Sequence, residues 1–150
     1  MTQATTMVVS AIIDNQMRHV YTAEERAELV GVVVDQPHLE FSSKLYVWDR
    51  PCREETDEYP SAQLRVATAP DAGYGALNWA SWGEVDGGVF DSFTETPPAD
   101  PVSIRFDTQS DYYFPADALL PLRKIREALA EFFTTGRKPS CVAWQDGRYY

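Results

Sequence analysis

The side chains best suited to catalysis or metal binding are few in this chain, which has two histidines and two cysteines. His19 and His38 belong to no paired motif, whereas a zinc site needs several ligands at short spacing. Cys52 lies in an acidic stretch that disfavours the thiolate a nucleophile needs. Cys141, beside Val142, is typical of a small core residue. We therefore expect no catalytic residue, no metal site and no cofactor.

The sequence also lacks the motifs of a nucleophilic serine and of a phosphate-binding loop. No serine stands in the Gly-x-Ser-x-Gly turn of an activated nucleophile. The glycine clusters at residues 73–75 and 87–88 lack the strand–loop–helix order of a phosphate-binding loop, so they indicate turns. Carboxylates are abundant, but abundance alone does not identify an acid–base pair. The residue types thus favour a protein that binds over an enzyme.

One candidate binding segment is the acidic stretch at residues 49–59. Clustered carboxylates attract cationic partners over a long range. The alternative interpretation is a solvated loop with no partner. The candidate contact residues in this segment are Glu54, Glu55, Asp57 and Glu58.

A second candidate segment combines aromatic rings with carboxylates between residues 79 and 113. Tryptophan and tyrosine anchor interfaces because they bury much area for few lost rotamers. The alternative is that Trp79 and one tyrosine fill the core. Alternation along a strand would put Tyr112 and Tyr113 on opposite faces, so that one of them points outward. The candidate contact residues in this segment are Trp82, Glu84, Asp86, Asp91 and Tyr112.

The excess of acidic residues indicates which kinds of partner the protein can bind. The chain carries 23 acidic and 13 basic residues, a formal net charge of −10. Residues 1–120 contain 20 acidic and 7 basic residues, and residues 121–150 contain 3 and 6. Acidic surfaces repel nucleic acid and anionic membranes, although they also serve solubility alone. We expect a basic protein partner, with neither direct nucleic-acid binding nor membrane binding.

The expected location is the cytoplasm. The first residues lack the basic start and apolar run of a secretory signal. No stretch of about 18 apolar residues, the length needed to span a bilayer, occurs in the sequence.

The spacing of hydrophobic residues and the positions of turn-forming residues predict the helices and strands that hold the candidate residues. Residues 7–13 and 16–21 predict a β-hairpin. Thr22 and Glu25 have the form of a capping box, which opens a helix that stops at Pro37. Short strands separated by turns predict an antiparallel sheet. The further predicted strands are residues 44–48, 63–68, 74–82, 89–93, 102–106, 112–114 and 141–145.

The clearest predicted element is a helix from about residue 121 to residue 133. Ile125, Leu129 and Phe132 lie along one face of it, and Gly136 can adopt the left-handed conformation that ends a helix. The elements together predict an α+β fold. We expect a five-to-seven-stranded antiparallel sheet with two main helices packed on one face, in a single domain spanning residues 1–150.

The last third of the chain carries a resemblance, supported by a patch further upstream at residues 74–79. The second half of the chain, residues 63–145, resembles immunity protein family 1 of bacterial polymorphic toxin systems. The residues that carry the resemblance are Tyr74-Gly75-Ala76-Leu77-Asn78-Trp79, Phe114-Pro115, Pro121-Leu122, Ala128-Leu129, Glu131-Phe132, Gly136-Arg137-Lys138-Pro139 and Val142-Ala143-Trp144-Gln145.

The resemblance implies a cytosolic antidote that binds a secreted toxin domain, often a nucleic-acid deaminase or nuclease, and shields its active site. The family has no catalytic residues to carry over. Such toxins tend to be basic because they approach phosphates, so an acidic inhibitor matches them electrostatically. The alternative function is a small α+β enzyme or ligand-binding domain whose pocket is lined by Trp79, Trp82 and Tyr112.

Overall fold

A computed structural model describes residues 7–38 and 41–150. The two α-helices are α1 (Ala23–Asp35) and α2 (Leu122–Thr135), and a short 3-10 helix covers Ala116–Ala118. The strands in chain order are β1 (Val8–Ile13), β2 (Gln16–Val20), β3 (Ser43–Trp48), β4 (Ala62–Ala69), β5 (Tyr74–Ser81), β6 (Gly88–Phe93), β7 (Leu120–Pro121) and β8 (Ala143–Asp146).

All strand pairs in the described residues are antiparallel, and they form one open sheet. The strand order is β2-β1-β3-β4-β5-β6-β8, and the two-residue β7 pairs with the beginning of β5. The α+β class and the antiparallel sheet are therefore confirmed. The main path of seven strands lies within the predicted range, and β7 brings the total in the described chain to eight.

Both helices pack on the same face of the sheet, as predicted. Alternate side chains of the central strands, among them Leu45, Leu64 and Trp79, join the buried side chains of α1 and α2 in one core. Trp79 contacts Phe132 of α2 edge to face, with ring centroids 5.7 Å apart. This aromatic pair ties α2 to the centre of the sheet.

The predicted helix boundaries rest on local contacts that the structure confirms. The Thr22 hydroxyl accepts a hydrogen bond from the Glu25 amide at 3.1 Å, and the Glu25 carboxylate accepts from the Thr22 amide at 3.1 Å. Gly136 ends α2 at φ 68°, and its amide donates to the Phe132 carbonyl at 2.8 Å. Glycine adopts this left-handed conformation without the steric cost that a Cβ would bring.

The opposite face of the sheet carries both small apolar and buried polar side chains, and loops cover it. Arg65 on β4 is 4% exposed. It donates to the Ser42 hydroxyl at 2.7 Å and to the Asp107 carboxylate at 2.9 Å. Its guanidinium also stacks 4.3 Å from the centre of the Phe106 ring. These contacts hold residues 102–114 across the sheet.

The hairpin predicted at residues 102–106 and 112–114 is not part of the sheet. The two segments share the isolated bridge of Arg105 and Tyr113, and backbone hydrogen bonds on either side of it. Phe106 and Phe114 pack instead on Ala76 and the other small residues of the second sheet face. The apolar alternation of these residues reflects packing across the sheet, not pairing along its edge.

The strand directions bring two loops to one end of the sheet. The first is the segment between β3 and β4, residues 49–61, which we call the acidic loop. The second is the connection between β5 and β6, residues 82–87, which we call the tryptophan turn. The pairing of Ala62 with Ser81 and of Ser81 with Gly88 places the two side by side. We call them together the acidic end.

Replacing the largest aromatic ring of α2 tests the core. Phe132 is 1% exposed, so Phe132→Ala should lower the free energy of unfolding by about 3–5 kcal/mol in urea denaturation. The matched control is Tyr21→Ala at an exposed ring, where we expect a change of about 0.5 kcal/mol or less. Equal effects of the two substitutions would contradict the assigned core.

Candidate protein-binding surface

The acidic loop is a tight turn that displays its carboxylates to solvent. Arg53 and Glu58 exchange backbone hydrogen bonds of 3.0 and 2.9 Å, and the Asp57 amide donates to the Glu54 carbonyl at 3.2 Å. Asp57 has φ 54°, a left-handed conformation that aspartate tolerates better than most residues. The four predicted contact residues in this loop are all exposed: Glu54, Glu55, Asp57 and Glu58.

The base of the acidic loop is fixed to the second face of the sheet. The amide of the buried Cys52 donates to the Ser10 hydroxyl at 3.1 Å. The Tyr59 ring lies 5.0 Å from the Tyr46 ring, centroid to centroid. A loop held at both ends keeps its carboxylates together, which strengthens the local field.

The charge of the loop is largely uncompensated. Within residues 7–38 and 41–150, none of its four predicted contact carboxylates has a Lys, Arg or His nitrogen within salt-bridge distance. The acidic end as a whole contains seven carboxylates and two arginines. Since the chain carries a net charge of −10, this small region supplies a large share of the imbalance. Such a patch attracts cations and repels phosphates.

The tryptophan turn exposes apolar side chains at the same end of the sheet. Trp82 and Val85 are 62% and 58% exposed. The Trp82 ring lies edge to face with the ring of Tyr150, at 5.1 Å between centroids. The Trp82 amide donates to the Ser61 carbonyl at 2.9 Å, which joins the turn to the acidic loop. Glu84 in the same turn is exposed.

Asp86, a predicted contact residue, has internal partners. Its carboxylate accepts hydrogen bonds from Arg137 Nε at 2.9 Å and from the Lys138 amide at 3.1 Å. Its carbonyl accepts from the Trp79 indole at 2.9 Å. The hydrogen bonds from Arg137 lower the pKa of Asp86. Asp86 therefore connects the turn after α2 to the tryptophan turn and holds the latter in place.

Asp91 and Tyr112 lie away from the acidic end, on the second face of the sheet. Asp91 is 1% exposed. It accepts from Asn78 Nδ2 at 3.0 Å and from the Tyr112 hydroxyl at 2.9 Å. Burial raises the pKa of Asp91, although both hydrogen bonds act in the opposite direction. In this conformation a partner cannot reach Asp91. The outward-pointing ring of the tyrosine pair is Tyr113, at 46% exposure.

The pocket expected from the alternative function is not formed. Trp79 is buried on the helix side of the sheet, against Phe132. Tyr112 lies on the opposite side, where it contacts Phe106 and Asp91. Trp82 stands at the end of the sheet. Because the sheet separates the first two side chains, the three rings line no common cavity.

A cleft of about 420 Å³ lies between β4 and residues 102–108. Its titratable lining residues include His38, Asp71 and Arg105. His38 is bonded to the Asp14 carboxylate at 3.0 Å and to the Val32 carbonyl at 2.8 Å, so both ring nitrogens are engaged. No cluster of three or more metal-ligating side chains occurs in the part of the chain that the structure describes.

Sequence reasoning missed Tyr150 and Val85 as members of the surface. Tyr150 reaches Trp82 because the chain continues past β8, where the Gly147 amide bonds the Val89 carbonyl and Asn78 Nδ2 bonds the Tyr149 carbonyl. That path depends on the pairing of β6 with β8. The only sequence feature that could have pointed to Tyr150 is the pair of adjacent tyrosines, Tyr149 and Tyr150.

The structure is that of a small α+β protein whose acidic end exposes carboxylates and aromatic rings. The immunity protein Imm1 family matches residues 13–146, and the chain belongs to that family. It is therefore an immunity protein, and its family membership implies that it binds a cognate toxin. No curated protein matches the chain. Across the residues that the structure describes, no helix is long and apolar enough to cross a membrane.

A substitution at Asp91 tests its assignment to the interior. Because burial raises its pKa in the folded state, the folded protein binds this proton more tightly than the unfolded chain does. The resulting stabilisation is complete below the unfolded pKa of about 3.9 and is lost as pH rises through the folded pKa. Asparagine does not titrate, so the Asp91→Asn variant does not lose stability in this way as pH rises. The free energy of unfolding of the variant, relative to that of the wild type, should therefore increase from acidic to neutral pH.

Urea denaturation of both proteins across this pH range measures the effect. Parallel stability curves would show that Asp91 has no raised pKa and would contradict its assigned burial. The same variant should bind toxin as the wild type does, since its side chain lies beneath the surface.

Proposed function

We propose that this immunity protein neutralises a nucleic-acid-targeting toxin, a deaminase or nuclease, by filling the toxin's active-site cleft with its acidic end. It performs no reaction itself in this proposal, and it acts in the cytoplasm, where such a toxin would meet its substrate. Family membership supports a toxin as the partner. The charge and shape of the acidic end support the mode of inhibition.

The observation that carries the proposal is the junction of the acidic loop with the tryptophan turn. Sequence reasoning identified residues 49–59 and the aromatic-acid set of residues 79–113 separately, and the hydrogen bond from the Trp82 amide to the Ser61 carbonyl joins the acidic loop to the tryptophan turn. The exposed carboxylates and the exposed indole ring thus lie on two loops that this hydrogen bond joins. An exposed aromatic anchor together with polar or charged side chains nearby in the fold is typical of specific protein interfaces.

Electrostatics explains why such a surface would suit this partner. A protein that binds a nucleic-acid backbone holds its phosphates with lysine and arginine. Carboxylates at the mouth of that cleft offer the same sign of charge as the phosphates they replace. A stable complex of standard size would bury about 1,600 Å² in total. Occupation of the cleft then excludes the substrate by contact and by repulsion.

Titration of the cognate toxin tests the proposal. The toxin's activity should fall linearly with added protein and vanish at one equivalent, because each complex occupies one active site. Association should slow as salt rises, since the Debye length shortens from about 10 Å at 0.1 M to about 3 Å at 1 M. Full inhibition far below one equivalent would indicate a catalytic inhibitor and would refute occlusion.

A matched pair of charge variants tests whether the acidic end provides the binding surface. Neutralising Glu54, Glu55 and Glu58 to glutamine should slow association roughly tenfold at low salt. The control neutralises the exposed Asp71, Glu95 and Asp100 to their amides. These residues lie outside the acidic end, and the change in net charge is the same. Equal effects of the two triple variants would show that net charge alone matters, and would contradict a local site.

A further inference from the structure

The tryptophan turn and the adjoining Tyr150 expose large apolar side chains that lie outside both hydrophobic core clusters of the described residues; we call Trp82, Val85 and Tyr150 the apolar cluster. Trp82, Val85 and Tyr150 are 62%, 58% and 62% exposed, the highest values among the large apolar side chains of the described residues. The Trp82 and Tyr150 rings touch each other edge to face. Water-exposed indole and phenol rings bring large contact area with few rotatable bonds, so they are frequent anchors of protein interfaces.

The cluster is held by a rigid support. The amide of Gly83 donates to the Ser81 hydroxyl at 3.2 Å, and the Trp82 amide is bonded to Ser61. A Cβ added to Gly87 would lie 2.6 Å from the Gly83 carbonyl oxygen, so the turn admits no side chain there. A support of this kind reduces the entropy that binding must remove.

The turn that follows α2 also stabilises the tryptophan turn. Arg137 and the Lys138 amide bond the Asp86 carboxylate, and the Lys138 ammonium lies 3.9 Å from the centre of the Phe90 ring. Trp79, from the core, bonds the Asp86 carbonyl. The apolar cluster is thus linked to α2 and to the interior of the sheet through Asp86.

We propose that Trp82, with Tyr150 and Val85 beside it, is the anchor of the toxin complex and enters an apolar pocket within the toxin's cationic cleft. The partner site would be an apolar depression bordered by lysine and arginine. The exposed carboxylates of Glu84 and the acidic loop supply the complementary charges at the rim. This inference rests on the proposed function and adds the site at which most of the binding energy resides.

The test compares two exposed aromatic residues at different places on the surface. Trp82→Ala should weaken binding of the toxin domain encoded beside this chain's gene by roughly 30-fold or more, the scale of an interface hot spot. Tyr113→Ala, a matched control on residues 102–114, should change affinity less than about threefold. Both side chains are exposed, so thermal melts should show little change for either variant.

Binding to poly-L-lysine, a cationic probe, distinguishes the contribution of Trp82 from that of the carboxylates. Trp82→Ala should bind this probe as the wild type does, whereas the triple glutamine variant of the acidic loop should bind it more weakly. Trp82→Phe should restore most of the toxin affinity because it retains an aromatic ring in the same turn.

The outcomes distinguish the anchor from the function. If the wild type inhibits the toxin at one equivalent and Trp82→Ala binds it equally well, the anchor is wrong and occlusion stands. If the wild-type chain fails to inhibit that toxin, both proposals fall. Equal losses for Trp82→Ala and Tyr113→Ala would also overturn the anchor, because the effect would not be local.

Discussion

The contact of Trp79 with Phe132 holds the helix layer on the sheet. It joins α2 to the central strand β5 at 5.7 Å between ring centroids. The indole nitrogen of Trp79 then donates to the Asp86 carbonyl in the tryptophan turn. One side chain thereby connects the hydrophobic core to the surface that we propose to bind toxin. The turn after α2 completes the connection, since Arg137 bonds the carboxylate of the same aspartate.

The two faces of the sheet bury different kinds of side chain. The helix side buries apolar side chains in one core, which provides the main drive for folding. The loop side buries polar groups that must find partners, as Arg65 does with Asp107 and Asp91 does with Tyr112. These bonds fix residues 102–114 and leave the acidic end free to display its charges. The result is an exposed surface on a rigid base, which suits rapid and specific binding.

Local patterns allowed the fold class to be predicted, and long-range pairing explains what they missed. The capping box at Thr22 and the stop at Gly136 depend on neighbours within a few residues, so the sequence revealed both. Residues 102–114 have the alternation of strands, yet they pack across the sheet. Asp86 resembled a surface carboxylate, because its partner Arg137 lies 51 residues away in the chain. The burial of Asp91 likewise depends on strand register, which brings Asn78 opposite it.

We propose that the acidic end, and not the helix layer, meets the toxin. Amide hydrogen exchange of the immunity protein, measured with and without an equimolar amount of the cognate toxin domain, tests this directly. We expect slower exchange on binding for amides in residues 49–61 and 82–87, and unchanged exchange along the exposed face of α1. Slower exchange confined to the helices, with the acidic end unaffected, would contradict it.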